Sequence, residues 1–221
     1  MLRIYYYMTT GLALTGAVAF TVASRPDLFN AIFDSWVVWI VMFAPFVLIF
    51  FLAAHLKDMG PIDAQISFWL FTFLMGLSLS TIFVVYTDES IDRVFFITAG
   101  TFAGTSLYGY TTKRDLTAWY SFLFMGLIGI IIVMVVNFFI GSTQIQFVVS
   151  VIGVILFVAI TAYDTQKIKE IYGRADGSVF GENRTDGAEV IEKKAIMSAL
   201  QLYLDCINLF VLLLRIFGEP E

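Results

Sequence analysis

Residues 116–163 read LTAWYSFLFMGLIGIIIVMVVNFFIGSTQIQFVVSVIGVILFVAITAY, without one charged side chain. A helix needs about 20 apolar residues to cross the hydrocarbon core of a bilayer. The stretch is too long for one crossing and long enough for two. Its polar break, Asn137 followed by Gly141-Ser142-Thr143-Gln144, divides it into spans at 117–140 and 145–164. Barrel strands alternate in polarity and run about 10 residues, which these segments do not do. Lipid satisfies no backbone polar group, so the spans must be helices.

Working outward, the same criterion finds spans at 4–24, 35–54, 64–87 and 94–112 upstream, and at 195–217 downstream. The expected architecture is an all-α integral membrane protein with seven transmembrane helices, a single polytopic domain over residues 1–221. Composition agrees: 59% of the 221 residues are hydrophobic and 14% are charged, with a mean hydropathy of +0.86. Soluble domains carry about 25% charge. A lone cysteine, Cys206, cannot pair within the chain, and one Cys with one His leaves no zinc site. A net charge of −5 argues against a nucleic-acid partner. Arg3 before the first apolar run, with Ala17-Val18-Ala19 inside it, imitates a signal peptide. The run is long enough to span, which favours an uncleaved first helix.

Lys and Arg mark the cytoplasmic side. With the N-terminus inside, ten basic residues face the cytoplasm: Arg3, Lys57, Lys113, Arg114, Lys167, Lys169, Arg174, Arg184, Lys193 and Lys194. Only Arg25 and Arg93 face outward. The sixth and seventh spans are joined by a cytoplasmic segment, 165–194, rich in Gly, Asp and Glu, which is expected to be a loop. Trp36, Trp39, Trp69 and Trp119 lie near span ends, as interfacial anchors do. Gly100, Gly104 and Gly109 give the fourth span a small-residue face suited to close helix packing.

An ionisable residue inside a span is costly and faces the protein interior. Asp205 sits near the middle of the last span. Ser198, Gln201, Asp205 and Asn208 fall on one helical face, with Arg215 near its continuation. Asp164 closes the sixth span and admits two readings. It is a solvated helix-end residue beside Lys167 and Lys169, or it meets Asp205 in the bundle. In the second case two carboxyls share a low-dielectric site and one proton. Singly protonated, the pair locks two helices together. Fully ionised, it repels, opens, and offers oxygen ligands to a hard cation such as calcium.

The motifs GYTTKRDLT (109–117), SVIGVILFVAITAYDTQKIK (150–169) and ALQLYLDCINLFVLLLRIFG (199–218) resemble those of the Bax inhibitor family, also called the transmembrane Bax inhibitor motif family. The resemblance runs through the whole chain and is to its bacterial members. It implies six helices surrounding a central C-terminal seventh. It implies a calcium leak across the membrane that is sensitive to pH. It also implies that the acids of the YD and LYLD motifs, here Asp164 and Asp205, form the pH-sensing pair. Some bacterial relatives carry an arginine-rich end to the second helix that bonds the pair. Here residues 53–60 read AAHLKDMG, which leaves His55 or Lys57 as substitutes, with Arg215 a further candidate.

The function expected is therefore a calcium leak in a bacterial inner membrane, with calcium and protons as its ionic partners, no resident cofactor and no catalysis. Three other readings fit an acid pair: a proton-coupled cation exchanger, a membrane regulatory or interaction protein, and an intramembrane aspartyl protease. The protease reading needs a GxGD motif, and here the second acid lies in LYLDC.

Overall fold

The computed structural model describes residues 2–55, 59–178 and 184–221, and among them the chain is helical throughout its regular structure. It divides into two compact units. The first comprises residues 1–86, 175–203 and 221; the second comprises 87–174 and 204–220.

The first unit holds helices α1 (Leu2–Ala23), α2 (Pro26–Phe33), α3 (Val37–His55), α4 (Pro61–Leu79) and α5 (Ile82–Val85). It also takes the start of α9 (Arg184–Phe217), as far as Tyr203. Ile4, Met8, Gly11, Thr15, Ala19 and Val22 recur at helical spacing and form the buried stripe of α1. That stripe packs on α4, which in turn packs on α3. Small residues permit the approach. A Cβ at Gly76 would lie 2.8 Å from the Thr15 carbonyl oxygen, and one at Gly11 would lie 2.9 Å from the Phe68 ring. Tyr203 is fully buried, with Phe68 and Phe71 set edge-on to its ring.

The second unit holds α6 (Asp88–Thr111), a 3-10 turn at Thr117–Trp119, α7 (Tyr120–Ile140), α8 (Thr143–Ser178) as far as Arg174, and α9 from Leu204 onward. Gly141 ends α7 in the left-handed conformation (φ 69°), where a side chain would be strained. The Asn137 carboxamide oxygen accepts from the Ser142 N–H, so the polar break supplies its own cap. Leu123 and Ile130 of α7 pack with Val149, Leu156 and Tyr163 of α8.

Many large apolar side chains point outward, and several polar ones are buried. Phe50, Phe138 and Phe139 are 73%, 84% and 81% exposed, whereas Thr72, Ser150 and Thr161 are fully buried. In water such a surface would aggregate; in lipid it is the expected one. Five helical segments are long and apolar enough to cross: Leu2–Ala23, Pro61–Val85, Thr117–Ile140, Thr143–Tyr172 and Ile191–Phe217. A sixth results if Pro26–Phe33 and Val37–Leu52, bent by 78°, count as one.

Several boundaries differ from the sequence reading. The segment 165–194, expected to be a loop, is helical up to Ser178 and again from Arg184. Its Gln, Lys, Glu and Ile residues are good helix formers that outweigh the scattered glycines. The connection between the first two expected spans contains α2, started by Pro26 at its first position. The span at 64–87 is interrupted at Ser80-Thr81 before α5. The expected fourth span, 94–112, lies in α6, which is absent from the five because Thr, Ser and Gly dilute its apolarity. Of its small-residue face only Gly109 meets a neighbour; nothing lies within 4 Å of a Cβ at Gly100 or Gly104. Trp36, Trp39 and Trp119 are exposed, as anchors would be, but Trp69 packs against Phe68 and Tyr7.

Candidate functional site

All of residues 161–166 on α8 are buried, around the full circumference of the helix. Asp164 is 3% exposed, which rules out a solvated helix end. Three contacts explain why this turn is covered. A Cβ at Gly109 would run into the carbonyl of Ala162, so α6 and α8 touch backbone to backbone there. Thr165 donates to the Ser106 hydroxyl of α6 at 3.4 Å. Gln166 grips the connection between α6 and α7: its Nε2 donates to the Arg114 carbonyl (2.7 Å) and its Oε1 accepts from the Leu116 N–H (2.9 Å). One turn on, the Lys169 ammonium donates to the Tyr110 carbonyl at 2.7 Å. The GYTTKRDLT and YDTQK motifs are therefore two sides of one contact.

Asp205 is 5% exposed. The Asp164 carboxyl lies beside it, close enough for the two to interact, so the structure brings the two acids of α8 and α9 together. A hydrogen bond between two carboxyls requires a proton on one of them. One oxygen of Asp205, Oδ2, is buried and accepts no hydrogen bond. Thr161, one turn before Asp164, gives its hydroxyl proton to Phe157 of its own helix at 2.7 Å. The site thus combines two buried neighbouring carboxyls with an oxygen that has no hydrogen-bond partner. Among the described residues no three His, Cys, Asp or Glu side chains gather to hold a metal ion. A divalent ion here would have two carboxylates and backbone or water oxygens as ligands.

The remaining predicted residues fall elsewhere. Asn208 is half-buried in the second unit; Ser198, buried, and Gln201, half-buried, lie in the first. Arg215 is exposed and lies outside the buried pair. His55, in the first unit, is exposed, stacks on Phe51 at 4.6 Å and contacts the Phe51 carbonyl at 3.2 Å. Lys57 lies outside the described residues. Gln166, Ser106 and Gly109 shape the site yet were not singled out as its residues. The signal for two of them was present, since Gly109 opens one motif and Gln166 follows the acid of another.

These features define a polytopic helical membrane protein that buries a pair of acids, Asp164 and Asp205, between two of its helices. The profile of the family described as Inhibitor of apoptosis-promoting Bax1 matches residues 1–221. The inner membrane protein YbhL of Escherichia coli is 43% identical over 220 residues, covering 99% of this chain and 91% of that protein. An uncharacterized protein of Rickettsia prowazekii is 42% identical over 219 residues, covering 99% and 89%. Another, from Borreliella burgdorferi, is 37% identical over 218 residues, covering 98% and 90%. The chain belongs to the Bax inhibitor family.

Proposed function

We propose that this protein is a pH-sensitive cation leak channel, chiefly for calcium, gated by protonation of Asp164 and Asp205. The observation that carries this reading is the buried meeting of the two carboxyls, with Asp205 Oδ2 left without a partner. Holding one proton, the pair ties α8 to α9. Losing it, the two charges repel in a low-dielectric site, and the helices part. The freed oxygens then supply hard ligands that suit calcium. Two carboxylates bind weakly enough to release an ion, which conduction requires.

The membrane arrangement proposed with it has seven spans, formed by α1, α3, α4, α6, α7, α8 and α9, with α9 at the centre. Burial supports that centre: 61% of the apolar window of α9 is buried, against 11% for α7. Helix α6 is counted because it has 24 residues and carries no charge after Arg93. The N-terminus lies in the cytoplasm by the distribution of Lys and Arg. The membrane is the bacterial inner membrane, as the name of the Escherichia coli relative says of that protein.

The test is calcium entry into proteoliposomes holding the purified protein, measured from pH 5 to 8 beside Asp164→Asn and Asp205→Asn. Flux that varies with pH in the wild type and is flat in both variants is the expected result. Absent flux at every pH, or flux that neither substitution alters, overturns the reading.

A further inference from the structure

A second polar recess lies in the second unit, at the end of the helices where Gln166 grips the α6–α7 connection. It has a volume of about 260 Å³ and is lined by Thr117, Tyr163, Gln166, Lys167, Glu170 and Ile171. The Lys167 ammonium stands 5.8 Å from the centre of the Tyr120 ring and 5.7 Å from that of Tyr163. The rings and the charge form one wall, held by cation–π attraction. More positive charge is fixed nearby. The Gln166 bond to the Arg114 carbonyl places Lys113 and Arg114 beside α8. The bond from Lys169 to the Tyr110 carbonyl sets Lys169 over the Tyr110 ring at 5.0 Å. Lys113, Arg114, Lys167 and Lys169 are four cations against two acids, Asp115 and Glu170, and all six are exposed.

The depth of the recess is marked by aromatic side chains. Trp119, Tyr120, Tyr108 and Tyr110 are 59%, 46%, 51% and 45% exposed on the same end of the unit. Exposed Trp and Tyr collect at the headgroup level of a bilayer. Just beyond them, Phe122 and Met125 are 68% and 72% exposed, a surface fit for acyl chains. A phosphate at this level meets cations, and the chains attached to it meet hydrocarbon-facing side chains.

We propose that this recess is a binding site for the phosphate headgroup of an anionic phospholipid, with Lys167 as its principal counter-ion and Arg114 as a second. The site is separate from the acid pair and does not depend on the leak reading. Basic pockets between membrane helices recognise lipid headgroups in this way, and each Lys or Arg near an anionic surface strengthens binding about fivefold.

The test reads Trp119 fluorescence in the full chain with Trp36, Trp39 and Trp69 replaced by Phe. The protein is reconstituted in phosphatidylcholine vesicles containing either brominated phosphatidylglycerol or brominated phosphatidylcholine at equal bromine content. Stronger quenching by the glycerol lipid is expected, with the preference lowered about fivefold by Lys167→Gln. It is expected to vanish in Lys167→Gln with Arg114→Gln, and to persist in Lys167→Arg, which controls for folding. Equal quenching by both lipids overturns the proposal, as does a preference that survives the double substitution. Relief of quenching by millimolar inorganic phosphate also overturns it, because the recess would then serve a free anion. Calcium flux is not read in this experiment, so the leak and the lipid site stand or fall separately.

Discussion

The Ala162 carbonyl lies against Gly109, two residues ahead of Asp164, with no space for a side chain between α6 and α8. The contact sets how far the acid-bearing turn of α8 sits from α6. Gly109→Ala ought to improve helix propensity by up to about 1 kcal/mol. The added Cβ meets backbone, which cannot swing aside as a side chain would, and overpacking of this kind costs about 1–3 kcal/mol. A lowered thermal midpoint in detergent is the expected outcome. The same substitution at Gly100, where nothing lies within 4 Å, is expected to leave the midpoint unchanged or raise it.

In the first unit, the Thr15 hydroxyl lies 2.8 Å from the Thr72 carbonyl and 2.7 Å from the Tyr203 hydroxyl. A carbonyl only accepts, so the Thr15 proton goes to Thr72 and Tyr203 donates to Thr15. One buried oxygen therefore joins α1, α4 and α9. Lipid gives little hydrophobic drive for helix association, so such bonds carry a larger share of it, each about 0.6–1.7 kcal/mol. Thr15→Val removes both bonds at nearly constant volume, whereas Tyr203→Phe removes one. Unfolding in mixed micelles is expected to show the Thr15 variant as the less stable of the two.

Asp115 illustrates the solvated side of the same connection. It accepts from the Thr117 N–H at 2.8 Å. Hydrogen bonds from the Thr117 side chain and N–H hold its carboxyl below the usual value of 3.8. The depressed folded value means that these bonds favour the folded turn above the ordinary carboxylate range. That contribution is lost as pH falls through the folded value. Carboxyl-selective NMR on Asp115-labelled protein is expected to show the low titration, moved partly back upward in Thr117→Ala.

The sequence disclosed the membrane character because charge-free runs of span length have no other solvent. It disclosed Asp205 because an acid in the middle of such a run must face protein. It left Asp164 open between a solvated helix end and a partner of Asp205, because the residue stands at the end of its apolar run beside Lys167 and Lys169. Its burial comes from α6 and from the loop that Gln166 holds, and neither contact has a local periodicity. The helical course of α8 and α9 into 165–194 was hidden because glycines and mixed charges suggest a loop, while helix propensity sums over the whole window. The interruption at Ser80-Thr81 was equally invisible, since both residues are tolerated within a membrane helix. Arg93, which donates to the Phe217 carbonyl and pairs with Glu219 at 3.0 Å, was counted only as a loop charge. Its partner is more than a hundred positions away.

The acid pair makes the sharpest demand on the gating proposal, because Asn and Ala at position 205 ought to act in opposite directions. In the proposed gate, the lock exists only while a proton lies between Asp164 and Asp205. An Asn at 205 carries amide hydrogens at every pH and donates to the Asp164 carboxylate permanently. Asp205→Asn is therefore expected to stay closed, with calcium flux low and flat from pH 5 to 8. Asp205→Ala has no donor, so Asp164 loses its partner and the lock is absent at every pH. Flux through it is expected to be flat and high. Wild type should move between the two, closed at low pH and opening as pH rises and the shared proton leaves. A hydrogen bond to a charged group contributes about 1.5–3 kcal/mol, so the two plateaus should differ by at least about tenfold. Both variants retain helical circular dichroism if the change is one of gating. If Asn and Ala give the same flux, the hydrogen bond is not the gate, whatever else the buried pair contributes to holding α8 and α9 together.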